Sequence, residues 1–120
     1  MIELMTDLPD NVVGFTASGQ VSGGDYEDVL IPAMEEKLAK YDKIRALYYF
    51  SDKFDEIEGE AMWDDAKIGM KHLTDFEKIA VVSDKKWIRR SIKAFGWLMP
   101  GEVQLYSGDE LDQARAWVSD

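Results

Sequence analysis

Lys85, Lys86, Arg89, Arg90 and Lys93 crowd into one short stretch of an otherwise acidic chain. Asp84 to Met99 contains a single acid, so its charge is +4, while the whole 120-residue chain carries −10 and the remainder therefore −14. Trp87, Ile88, Ile92, Phe95, Trp97, Leu98 and Met99 are interleaved with the cations. Ile88, Ile92 and Phe95 recur at helical spacing and read as a stripe facing the core. Cations on the other side and an aromatic-rich tip suit an anionic membrane surface. A Lys or Arg near such a surface contributes about 1 kcal/mol, and tryptophan favours the interfacial layer. The expected membrane-facing set is Lys86, Arg89, Arg90, Lys93, Trp97, Leu98 and Met99. Two other readings stay open: an ordinary solvated face, and a dimer or protein contact centred on Trp97-Leu98-Met99.

Other chemistry is sparsely represented. The chain has no cysteine, which removes disulfides, thiolate metal sites and cysteine nucleophiles. His72 is the only histidine, too little for a transition-metal site or a catalytic triad. Ser51, Ser83 and Ser91 stand in no G-x-S-x-G context. Gly19 to Gly24 holds three glycines without phosphate-loop spacing. Asp52, Asp55, Glu56, Glu58, Glu60, Asp64 and Asp65 form an acidic run that does not follow the calcium-loop pattern. No cofactor, no metal and no enzymatic activity are expected. The net charge makes nucleic acid a poor partner, because the phosphate backbone would be repelled.

These residues need elements to position them. Ile44 to Phe50 (IRALYYF) is apolar without alternation, the pattern of a strand buried on both faces. Ile2–Met5 and Val12–Ser18 read as an opening hairpin around the turn Leu8-Pro9-Asp10-Asn11, with Gly14 marking a close approach or a bulge. Ser22 to Asp25 starts a helix to Tyr41, with Tyr26, Leu30, Met34 and Leu38 inward and a kink expected at Pro32. After Phe50 an acidic loop leads to a second helix over Glu60–Leu73. Glu77–Ser83 is a strand, and Ser83 or Asp84 would cap the third helix, Lys85 to Trp97. Glu102–Tyr106 is the last strand, and Ser107 to Glu110 is a capping box opening the final helix. The order β-β-α-β-α-β-α-β-α predicts one α/β domain: a mixed five-stranded sheet with four main helices. The large side chains of the second and third helices, Trp63, Met70, Trp87, Phe95 and Met99, with Ala66 among them, would line a cavity for an apolar ligand. They would otherwise simply fill the core.

Several pieces in this order carry a resemblance to a known family: GQVSGGDY at Gly19–Tyr26, LIPA at Leu30–Ala33, WDDAK at Trp63–Lys67, VSDKKW at Val82–Trp87, and ARAWV at Ala114–Val118. Together they resemble the SpoIIAA-like family, a branch of the STAS-domain fold that is similar to CRAL-TRIO lipid-binding domains. The resemblance implies a non-enzymatic domain over the whole chain, either a lipid-type binder with reversible membrane association or a protein-interaction module of anti-sigma-antagonist type. In the latter a serine in a D-S-x-G-like loop after the central strand is phosphorylated. Here Ser51 stands at that place without the motif, among carboxylates that would repel a phosphate.

The opening MIELMTDLPD has no basic, apolar leader pattern, and no apolar run is long enough to cross a bilayer. The expected location is cytoplasmic, with peripheral attachment to the inner face of the membrane left open. An apolar small molecule or lipid, an anionic membrane, a second copy of the chain and a protein partner are the candidate partners.

Overall fold

The computed structural model describes residues 1–59 and 74–120. Its frame is a five-stranded sheet in the order β1-β2-β3-β4-β5. The strands are β1 (Ile2–Leu4), β2 (Val12–Val21), β3 (Ile44–Ile57), β4 (Phe76–Val82) and β5 (Glu102–Tyr106). β1 is antiparallel to β2, and the other three pairings are parallel. This is the mixed sheet expected from an opening hairpin followed by strand–helix alternation.

The alternation of Cβ directions gives β3 two buried faces. Ile44 and Ala46, with Tyr48 beside them, join Val13, Phe15, Ala17 and Val81 in one core. Leu47 and Tyr49 point the other way, into a core with Val12, Ala80 and Val82. Two helical segments, α1 (Gly23–Asp25) and α2 (Ile31–Lys40), cover the first face together with α3 (Lys86–Phe95), contributing Met34 and Ile88. The second face is closed by α4 (Leu111–Ser119) through Ala114 and Val118. Three of the four expected main helices are thus in place; the one expected over 60–73 lies outside the described residues, as do Trp63, Ala66 and Met70.

The kink expected at Pro32 takes a different form. Tyr26–Leu30 is a π-helical turn, in which the Ile31 N–H donates to the Tyr26 carbonyl five residues back. Proline donates no hydrogen bond and crowds the carbonyl four residues earlier. The wider turn absorbs both problems, and Pro32 becomes a first-turn residue of α2.

The acidic segment after Phe50 is corrected from loop to strand. β3 continues to Ile57, which pairs with Val21, although its partnership with β4 ends at Tyr49–Val82. Register shifts beside Gly19 leave β3 with more residues than β2 over this stretch. Gly19 has φ +58°, a conformation that glycine adopts without cost. Ser51 lies in the bulged part of β3, where its hydroxyl donates to the Ala17 carbonyl at 3.1 Å and accepts from the Lys53 N–H.

The final helix is gripped by cations from the sheet. The Arg45 guanidinium donates to the Val118 carbonyl at 3.0 Å and pairs with Glu77 at 2.8 Å. Lys78 Nζ donates to the Trp117 carbonyl at 3.1 Å and sits 5.0 Å from the centre of its ring. Both satisfy carbonyls at a helix C-terminus, where the dipole favours positive charge.

Capping boxes stand at both helix starts the sequence predicts, Ser107–Glu110 read there as a box and Ser22–Asp25 as a helix start. The Ser22 and Asp25 pair closes one, and the Ser107 and Glu110 pair the other. Burial opposes the charge on Asp25, but the Ser22 N–H and the nearby amino group of Met1 hold its carboxyl below the usual range. The Ser107 N–H and hydroxyl do the same for Glu110. A carboxyl depressed in the folded state contributes stability above its ordinary value, about 4.5 for Glu110, and loses it as pH falls through the folded value. Glu110→Gln is therefore expected to show a shallower loss of urea stability than wild type as pH falls below about 4.5. A Cβ on Gly101 would collide with the carbonyls of Phe76 and Glu77, which are backbone and cannot swing away. Gly101→Ala is expected to lower stability by about 1–3 kcal/mol, read as a shift in the denaturant midpoint.

Candidate binding surface at the carboxyl ends of the strands

In an open parallel sheet the crevice beyond the carboxyl ends of the strands is the usual place for ligands. Here that rim is built by the bulged end of β3, the β4–α3 connection and α3 itself. The bulge turns Phe54 inward, leaving it 3% exposed. Its ring meets Phe50 edge-on at 4.9 Å and Trp87 at 6.5 Å between centroids. Lys85 Nζ lies 6.0 Å from the Phe54 ring, at the outer limit of a cation–π contact. Trp87 remains 42% exposed, so the row of rings runs from the core to the surface.

Phe54 and Lys85 are outside the ligand set expected from the sequence. The available signal was the spacing of Phe50, Phe54 and Ile57 within an otherwise acidic run, which marks a segment with something to bury. Trp87, the expected pocket residue, packs on this ring row. Met99 packs against the first core and is half-buried. Phe95 ends α3, and Leu98 ends the 3₁₀ turn Gly96–Leu98 that extends it.

Among the expected membrane-facing residues the structure separates two groups. Lys86, Arg90 and Lys93 are exposed. At 100° per residue they fall within a sector of about 60°, roughly opposite Ile88 and Ile92. Ile88 is buried and Ile92 packs beside it on the first core, as the sequence expects. Trp97 follows in the 3₁₀ turn and is 77% exposed, the most exposed large apolar side chain among the described residues. Arg89 departs from this group. It is half-buried, and one guanidinium nitrogen donates to the carbonyls of Ser83 at 3.0 Å and Tyr106 at 3.1 Å. The ends of two adjacent strands supply those acceptors, so Arg89 is drawn toward the sheet.

The capping of α3 also differs from expectation. Lys85 occupies the cap position, with no side-chain cap bond. Ser83 is fully buried, and its hydroxyl accepts from the Lys85 N–H at 3.0 Å. Asp84 turns toward the next connection and accepts from the Gly108 N–H at 2.9 Å. A cap needs the side chain one residue before the helix; the chain remains extended through Lys85, so both residues sit too early.

This arrangement offers hydrophobic and charge recognition: exposed indoles, three outward cations and a ring row reaching the core. Among the described residues no helix is long and apolar enough to cross a membrane.

A model of the SpoIIAA-like family matches residues 12–119. Among solved structures, the chain is similar to an uncharacterised protein with a SpoIIAA-like fold from Shewanella loihica PV-4. The two are 28% identical, with a TM-score of 0.77, over 98% of this chain and 92% of that one. No curated protein matches the sequence. The SpoIIAA-like fold is that of a regulatory or interaction module of the STAS type. With the matched residues running from the first core strand through the final helix, the chain belongs to the SpoIIAA-like family.

Proposed function

We propose that this protein is a non-enzymatic binding module that attaches reversibly to anionic membrane surfaces through α3. The observation that carries this reading is the outward row Lys86, Arg90 and Lys93, continued by the exposed Trp97. Three cations at about 1 kcal/mol each give roughly 3 kcal/mol of attraction, to which an interfacial tryptophan adds. The chain's net charge of −10 opposes binding, but charges more than about 8–10 Å from the surface are largely screened at physiological salt. The balance is weak, salt-sensitive attachment, suited to the cytoplasmic leaflet where anionic lipids concentrate. Trp87 and the Phe54 ring row would contribute one wall for an apolar, lipid-like ligand. A second reading follows from the family: the same surface meets an acidic protein, or a second copy of this chain, as an interaction module. The exposed Trp97 suits that use as well, since aromatic anchors with a cationic rim are common at protein interfaces.

Flotation with neutral and anionic vesicles at low and high salt tests the proposal. Binding is expected only to anionic vesicles and only at low to moderate salt. Arg90→Glu changes the local charge by two and is expected to weaken binding about thirtyfold. Trp97→Ala is expected to weaken binding while altering folding stability by no more than about 0.5 kcal/mol, as for other exposed positions. Ile88→Ala, on the opposite face, is expected to cost about 2–4 kcal/mol in urea denaturation. Absence of flotation in every condition would remove the membrane reading and leave the protein-interaction one.

A further inference from the structure

We infer that Arg89 is not part of the docking charge but a positioning residue: a pin that fixes the rotation of α3 about its axis. This rests on the reading of α3 as the docking element, but the pin itself is a property of the free protein. A helix lying on a sheet through two isoleucines can roll by a fraction of a turn, because apolar packing is not directional. A hydrogen bond is directional. Arg89 Nη1 is shared between the Ser83 and Tyr106 carbonyls, 3.0 and 3.1 Å away; Ser83 directly follows β4 and Tyr106 is the last residue of β5. Those two points lie at the ends of neighbouring strands and are joined by the Ser83 N–H to Tyr106 carbonyl bond at 3.0 Å. They therefore form a rigid base. With Arg89 tied there, Ile88 and Ile92 must face the core and Lys86, Arg90 and Lys93 must face out.

The same base anchors the connection on the other side. Asp84 accepts from the Gly108 N–H at 2.9 Å, and Glu110 closes its capping box on Ser107 at 2.8 Å. The start of α3 and the Gly108–Glu110 turn before α4 thus share one set of strand-end contacts. Loosening Arg89 should be felt at both.

Arginine and lysine separate the two roles. Lysine keeps the charge, but its flexible ammonium does not reproduce a planar guanidinium nitrogen seated between two carbonyls. Hydrogen exchange of the intact protein, measured on Arg89→Lys and Arg90→Lys, reads the pin without any membrane. In Arg89→Lys the amides of α3 and of Ser107–Leu111 are expected to exchange about ten- to a hundredfold faster, the range for losing a charged hydrogen bond. In Arg90→Lys they are expected to stay within about twofold of wild type, since exposed substitutions of this kind have small effects. Equal exchange in the two variants would overturn the pin. If the fully charged Arg89→Lys is too unstable to handle, Arg89→Gln measured in the same way decides it, with unchanged α3 exchange as the overturning result. Vesicle flotation of the wild type is scored separately: its failure, with exchange accelerated only in the Arg89 variant, removes the docking reading and leaves the pin standing.

Discussion

The constraint on which the rest of this structure depends is that β3 is apolar on both faces. A strand with Ile44, Ala46 and Tyr48 on one side and Leu47 and Tyr49 on the other needs two covers. Parallel neighbours on both edges satisfy its backbone, and parallel neighbours require crossovers, which deliver helices to a face. Burial of each large apolar side chain is worth roughly 1.5–3 kcal/mol. The central strand therefore recruits α2 and α3 to one layer and α4 to the other. The position of α3, and with it the outward row of cations, follows from that demand.

Polar groups determine how the covers are seated. Arg45 and Lys78 project from the sheet among apolar residues and are held there by carbonyls of α4. Arg89 does the corresponding task for α3, with acceptors at the residue after β4 and at the end of β5. In each case a cation donates to backbone oxygens where an element ends, and two of these oxygens, those of Tyr106 and Trp117, also accept a backbone N–H. Apolar burial sets which elements meet, and these few directional bonds set the angle at which they do so.

Much of this was legible in the sequence, for identifiable reasons. IRALYYF announces a strand buried on both sides, and Ser22 with Asp25 and Ser107 with Glu110 announce helix starts through local chemistry alone. The stripe of Ile88 and Ile92 fixes the inner face of α3. The extension of β3 was hidden because Asp52, Asp55 and Glu56 are poor strand formers, and the pairing of Phe54, Glu56 and Ile57 depends on β2, far away in the chain. Pro32 signalled a disturbance, but a π turn and a kink are alternative responses to the same missing donor. Arg89 looked like its neighbour Arg90, because nothing within the helix reveals a carbonyl at Tyr106. Trp87 packs beside Phe54, a residue obscured by the acids around it.

The sheet order also has a consequence for how the chain reaches its native state. Among the described residues, only the β1–β2 hairpin pairs strands close in sequence, as Leu4 with Phe15. Val12 must wait for Arg45, and Ile79 for Val103. Closing those loops costs entropy before any ladder forms, so topologies of this kind fold more slowly than helical bundles of equal size. During synthesis the hairpin would emerge before β3, with the apolar side chains of β2 uncovered, and the strand that shields it follows only after the whole α1–α2 crossover has left the ribosome. For that interval β2 is open to mispairing, and the short, charged β1 on its flank limits the edge it presents.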